Sequence, residues 1–165
     1  MYEWPQWNER VTIHTWSLPV QGVHAFRQFE LYVGDRKIGE SSSTWITMDI
    51  ASRHPIDMTN SQEMFHPRLD GGIAMQTGLV LLPEEMIHIC DFKVRISDLD
   101  VNSHVNNVKY TQWALDMMRE KDHREWVIQE YDINFLSETF LCAQKEGGTK
   151  PAFIAKWKAK SIVNG

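Results

Sequence analysis

The sequence predicts an α+β fold in which an antiparallel sheet curls around a central helix. Three observations carry that prediction. Residues 10–49 are dense in Val, Ile, Thr, Phe, Tyr and Trp and are punctuated at Leu18, Pro19, Gly22, Gly34, Asp35 and Gly39, the pattern of consecutive antiparallel strands. A single apolar helical stretch follows a polar loop at 97–104. Beyond it lies a long β-rich run, broken by Gly147 and Gly148.

In order, the first strand covers 10–16, where Val11, Ile13 and Thr15 alternate with Thr12, His14 and Trp16. The second, about 23–33, sets Ala25, Arg27, Phe29 and Leu31 against Phe26, Gln28, Glu30 and Tyr32. A turn at Gly34 and Asp35 leads to the third, about 36–48, which takes in the serines at 41–43 and closes on Trp45 and Ile46. From 50 to 85 the periodicity decays and Pro55, Asn60, Pro67, Gly71, Gly72, Gly78 and Pro83 accumulate, so this stretch reads as a long connection. A strand returns at 89–96, then the polar loop, then a helix over about 105–121. Tyr110, Trp113, Ala114 and Met117 form its apolar stripe, and Val108, Leu115 and Met118 widen it, which predicts a largely enclosed helix. After the charged segment 120–125 come a long strand at about 127–144 and a last strand at 152–162. The first half shows strands and no central helix of its own, so the pattern amounts to one and a half such units.

Composition narrows the functions open to the chain. Its 165 residues, 42% hydrophobic, suffice for one sizeable core or two small ones sharing an interface. A net charge of −5 with scattered Lys and Arg leaves no basic field for a phosphate backbone, which argues against nucleic acid as a partner. An acidic protein partner needs only a local patch, for which Arg27, Arg36, Lys37, Arg53, Lys93, Arg95 and Lys109 are the candidates if they converge. The two cysteines, Cys90 and Cys142, lack the spacing of a zinc or redox pair, and a reducing compartment, the cytoplasm, is the expected location. Residues 1–10 have no apolar signal core, and the strongest apolar run, 78–82, is too short to span a bilayer.

The densest polar cluster runs from Ser97 to Asn107. Asp100, Asn102 and His104 are spaced by two, so in extended chain their side chains project to one side and address a common point. The helix start behind them aims free N–H groups and its positive end at that point, where an oxyanion can be stabilised. A His beside a carboxylate and an amide is a workable general base. The competing reading is structural, because Asp and Asn are the preferred residues before a helix; capping accounts for one or two of these side chains, not for five. One His with no second His or Cys nearby does not indicate a metal, and no cofactor is expected. Glu138, the acidic residue of an otherwise apolar strand, is either an exposed strand charge or a functional carboxylate. Trp16, Phe26, Phe29, Trp45 and Trp113 read either as plain core or as the lining of an apolar tunnel.

The segment SDLDVNSHVNNVKYTQW, Ser97 to Trp113, resembles the signature of acyl-acyl-carrier-protein thioesterases of plants and bacteria. TIHTW at 12–16, AFRQFEL at 25–31 and SSTWITMD at 42–49 resemble strand sequences of that family's first hot-dog unit. The resemblance implies a tandem double hot-dog, here with an incomplete first unit: 1–60 as the partial N-terminal unit, 61–86 as linker and 87–165 as the C-terminal unit with the motif. It further implies hydrolysis of the thioester between a fatty acyl chain and the phosphopantetheine of an acyl carrier protein, in fatty acid biosynthesis. The family's D-x-N-x-H motif falls on Asp100, Asn102 and His104, and INFLSET at 133–139 places the family's strand glutamate on Glu138. The position of an alternative cysteine nucleophile is Thr139 here, and Cys142 lies roughly 13 Å beyond Glu138 along an ideal strand. Water attack is therefore favoured, with His104 and Glu138 activating the water, Asn102 orienting it or the thioester, and Asp100 holding the loop. Open sheet edges in an incomplete unit imply pairing with a second copy as a homodimer. Two further readings stand beside this one: a non-catalytic protein that binds acyl carrier or acyl chains, and an acyl-CoA thioesterase of the same fold.

Overall fold

Gly22 and Gly34 set the topology of the first half. Both take a left-handed backbone, with φ of 58° and 57°, which turns the chain straight back in two-residue loops. The result is an antiparallel sheet of β1 (Val11–Gln21), β2 (His24–Val33) and β3 (Arg36–Ile46) in the order β1-β2-β3. The computed structural model describes residues 1–81, 84–85, 90–135 and 153–162, divided between two compact units, Met1–Gly78 and Leu79–Gly165.

Leu18 and Pro19, read from the sequence as the end of the first strand, instead lie inside β1. Pro19 is tolerated because β1 is an edge strand and the register with β2 shifts between Leu18 and Gln21, so no ladder needs its missing N–H. The serines at 41–43 do belong to β3, opposite Phe29, Gln28 and Arg27. A second register shift, between Leu31 and Tyr32, accommodates Ile38, which is fully buried and whose C=O accepts the Tyr2 N–H at 2.9 Å.

Among its described residues the long connection adds no strand to this sheet; it contributes a distorted 3-10 segment, Thr59–Phe65, and is otherwise pinned by side chains. Val20, Ala25 and Met58 form a small core backed by Phe65. Trp16, Gln28 and Ser42 face one another across the register, as do Leu18, Phe26 and Thr44, so these six share one face. Gln28 is only 3% exposed, and its Oε1 accepts the N–H groups of Ala74 at 3.1 Å and Met75 at 3.2 Å. The Trp16 indole donates to the C=O of Gly72 at 3.1 Å, and the Thr44 and Thr77 hydroxyls meet at 2.9 Å. Irregular backbone can lie over a sheet face only where its polar groups are satisfied in this way. Of the aromatic candidates for a tunnel, Phe26 lines a groove with Leu18, Ile73 and Met75, whereas Trp45 is exposed.

Charge is largely paired off in this unit. Arg36 bonds Glu3 and Glu9, and Lys37 bonds Glu30 at 2.7 Å and Glu40 at 2.9 Å. Hydrogen bonding to Lys37 holds the Glu30 carboxyl below its ordinary value, while Glu40 is held low first by Tyr2 and then by Lys37. Arg36 and Lys37 therefore do not present an open basic patch.

In the second unit β4 (Trp126–Phe135) pairs antiparallel with β5 (Phe153–Ser161). The remainder of the expected long strand and the Gly147–Gly148 turn lie outside the described residues. Where a strand was expected at 89–96, residues 90–95 pair with no strand among the described residues, and Ile96–Asp98 forms a 3-10 turn. The Arg95 N–H, needed for a ladder there, is taken by the Asp98 carboxylate at 2.8 Å.

The helix is also shorter than its apolar pattern suggested: α1 spans Asn107–Asp116, and a separate short helix, α2, spans Glu120–Glu125. The break falls at Arg119, whose backbone is extended and whose guanidinium grips the Asp122 carboxylate at 2.8 and 2.9 Å. Only one face of α1 is enclosed. Tyr110 and Ala114 are buried, with Tyr110 edge-on to Phe135 at 5.5 Å and Phe153 at 5.1 Å, while Val108 is 69% exposed. Two described strands are too narrow to wrap the helix.

Candidate functional site

The polar cluster is built outward from Asp98. This residue is 6% exposed, and its carboxylate accepts the Arg95 N–H and pairs with Lys109 Nζ at 3.3 Å. Its C=O accepts the Asn106 N–H at 2.8 Å. The Arg95 N–H, with Lys109 behind it, holds the Asp98 carboxyl below its ordinary value against the upward push of burial. Both flanks of the loop and the first turn of α1 thus converge on one carboxylate. Lys109 is neutralised there and is no longer a candidate for an open basic patch.

Between these flanks the chain makes a tight hairpin. Leu99 bridges Val105, the Asp100 N–H donates to the His104 C=O at 2.8 Å, and the Ser103 N–H donates to the Asp100 C=O at 3.1 Å. Asp100 Oδ1 accepts two N–H groups from inside the turn, those of Asn102 at 2.8 Å and His104 at 3.1 Å. Ser103 takes a left-handed φ of 63°, costly for a residue with a Cβ. The extended geometry expected from the spacing of two is therefore replaced by a turn that Asp100 closes. Asn102 is left exposed and His104 half-buried.

Helix capping falls to a different residue. Asn106 has an extended backbone, its Oδ1 accepts the Val108 N–H at 3.0 Å and its C=O accepts the Lys109 N–H at 2.8 Å. Two N–H groups at the helix start are thereby used within the protein, which removes them from the oxyanion role the sequence suggested. Asp100 and Asn102 are free of the capping role that competed with function, although Asp100 is committed to the turn.

The structure brings Asp100, Asn102 and His104 into this one hairpin; Glu138, with Thr139 and Cys142, lies outside the described residues. Cys90 is exposed with a free thiol. Among the described residues no three metal-binding side chains converge, and no helix is long and apolar enough to cross a membrane. The parts that sequence reasoning missed are Asp98 and Asn106. Their signals were present: an acidic residue three positions after Arg95 at a turn start, and an Asn immediately before the helix.

The model of the acyl-ACP thioesterase N-terminal domain matches residues 1–64, and that of the acyl-ACP thioesterase C-terminal domain matches residues 83–146. The chain belongs to the acyl-ACP thioesterase family. It is 32% identical over 124 residues to the chloroplastic palmitoyl-acyl carrier protein thioesterase of Gossypium hirsutum, covering 68% of this chain and 30% of that one. To the chloroplastic oleoyl-acyl carrier protein thioesterase 2 of Arabidopsis thaliana it is 26% identical over 134 residues, covering 73% and 36%. The chain thus spans about a third of the length of these relatives. Among solved structures it is similar to an acyl-ACP thioesterase from Bacteroides thetaiotaomicron, with a TM-score of 0.79 at 18% identity over 92% of this chain and 69% of that one. It is also similar to the 12:0-ACP thioesterase from Umbellularia californica, with a TM-score of 0.80 at 16% identity over 95% and 70%. The fold is of the hot-dog type that the sequence resemblance implied.

Proposed function

We propose that this chain is a thioester hydrolase that releases free fatty acid from acyl carrier protein in fatty acid biosynthesis, with the 100–104 hairpin as its reacting centre. The observation that carries this reading is the double use of Asp100 Oδ1, which fixes Asn102 and His104 on one rigid turn. In the reaction a water oxygen attacks the thioester carbonyl carbon while His104, assisted by Glu138, accepts the water's proton. Asn102 orients the water or the carbonyl, and Asp100 keeps the turn closed. The C–S bond then breaks, leaving a carboxylic acid, and the proton passes to the departing phosphopantetheine thiolate. Family membership supports acyl carrier protein as the partner. We further propose a homodimer, supported by the outer edges of β1 and β3, which pair with no strand among the described residues. We also propose a reducing, cytoplasmic setting, supported by the two cysteines in the sequence, which lack the number and spacing of a disulfide framework.

The test is release of free thiol from a chain-length series of acyl-carrier substrates and from the matching acyl-CoA esters, by the unaltered chain and by His104→Ala and Glu138→Ala. Turnover of the carrier substrates that both variants lose is the expected result. Equal release by the unaltered chain and His104→Ala, with acyl carrier still bound, would replace the hydrolase with a binding protein; preference for acyl-CoA would replace the carrier.

A further inference from the structure

We infer that Asp98, through its ion pair with Lys109, is a positioning residue that sets the geometry of the 100–104 hairpin. This inference rests on the proposed hydrolase reading for its kinetic consequence but not for its structural one. Asp98 acts on what lies either side of Asp100, Asn102 and His104. Its carboxylate holds the Arg95 N–H before the hairpin and the Lys109 ammonium in the first turn of α1, and its C=O holds the Asn106 N–H between hairpin and helix. Asn106 in turn caps α1 through Val108. One buried carboxylate therefore joins the entry of the loop to the helix that leaves it, and Leu99 and Val105, which bridge at the base of the hairpin, are held between those two anchors.

The chemistry of the anchor explains why it is an acid. A buried carboxylate accepts on both oxygens at once and is stabilised by the adjacent ammonium, whereas a neutral amide in its place turns an N–H group toward Lys109. Removing Lys109 instead leaves the carboxylate buried with one backbone donor. Either change loosens the join between loop and helix and with it the hold on the 100–104 hairpin, so the loss falls on the alignment of bound substrate rather than on its capture.

The experiment compares Asp98→Ala, Lys109→Met and Lys109→Arg with the unaltered chain by acyl-carrier thiol release and by residue-resolved amide hydrogen exchange. Asp98→Ala is expected to lower kcat by about 10- to 100-fold with KM within about twofold. The amides of Asn102 and His104 are expected to exchange about 10-fold faster, with those of β4 unchanged. Lys109→Met moves both readouts the same way by less, and Lys109→Arg restores them. If Asp98→Ala also loses protection in β4, Lys109→Met is judged by the same two criteria. Unchanged exchange at Asn102 and His104 in both Asp98→Ala and Lys109→Met, or a raised KM with kcat intact, would overturn the inference. An unaltered chain that releases no thiol would remove the hydrolase reading, and the exchange readout would still decide the role of Asp98.

Discussion

Two turns, one in each unit, are closed almost identically and lead into different surroundings. At 49–54 the Asp49 N–H donates to the His54 C=O at 2.9 Å, the Arg53 N–H returns to the Asp49 C=O at 2.9 Å, and Asp49 Oδ1 accepts the Ser52 N–H at 2.7 Å. Met48 bridges Pro55 at the base, and Arg53 is left-handed with φ 57°. The hairpin at 100–104, one residue shorter, closes by the same kinds of bond with Asp100, His104, the Leu99–Val105 bridge and left-handed Ser103. An aspartate at the head of such a loop is thus first a turn former, in both places. The second turn differs in what is added. Asp100 Oδ1 takes two N–H groups, Asn102 stands where the first turn has Ser52, His104 is half-buried where His54 is exposed, and an Asn-capped α-helix follows instead of Pro55.

The histidines give the widest split between the two turns. His104→Ala should lower kcat for thiol release about 10²- to 10⁴-fold, while His54→Ala should stay within about twofold. Next in size is a test of what holds the first unit. Gln28→Ala strands the Ala74 and Met75 N–H groups over the sheet and should cost about 2–3 kcal/mol in denaturant unfolding. Loss of the Asp49 carboxylate in Asp49→Ala should cost much less in the same assay, because its bond to the Ser52 N–H is solvent-exposed. Ser103→Gly relieves the left-handed backbone at the price of greater unfolded-chain freedom, and should stabilise the second unit by about 0.5 kcal/mol in the same assay.

The smallest expected effect is on acid stability. The Asp49 carboxyl is held below its ordinary 3.8 by the Ser52 N–H, and Asp98 by the Arg95 N–H. Since both folded values are depressed, each carboxyl contributes stability that is fully present above about pH 4 and lost as pH falls through the lowered value. Thermal melts between pH 5 and pH 2 should therefore flatten for Asp49→Asn in the first unit and for Asp98→Asn in the second, relative to the unaltered chain.

The readable parts of the chain were those with local causes. Alternating strand residues and the glycines at 22 and 34 announced β1, β2 and β3, and the serines of β3 were placed correctly because their neighbours kept the period of two. Pro19 misled because its tolerance depends on β1 being an edge, a fact of topology. The segment at 89–96 has strand-like composition, but its Arg95 N–H is claimed by Asp98, and the extent of α1 was overestimated because the apolar stripe runs on through Met117 and Met118, past the end of the helix at Asp116. At the candidate site the residue types stood out in the sequence. Their geometry did not, because Asp100 folds them into a turn through its side chain, and the cap belongs to Asn106.

The central claim, that the second turn and not the first is the reacting centre, is tested most directly by thiol release from an acyl-carrier substrate with Asp100→Ala beside Asp49→Ala. Opening the second turn should cost about 100-fold in kcat, and opening the first should leave kcat within about twofold of the unaltered chain. Equal rates for the two variants, whether both lowered or both intact, would contradict the account.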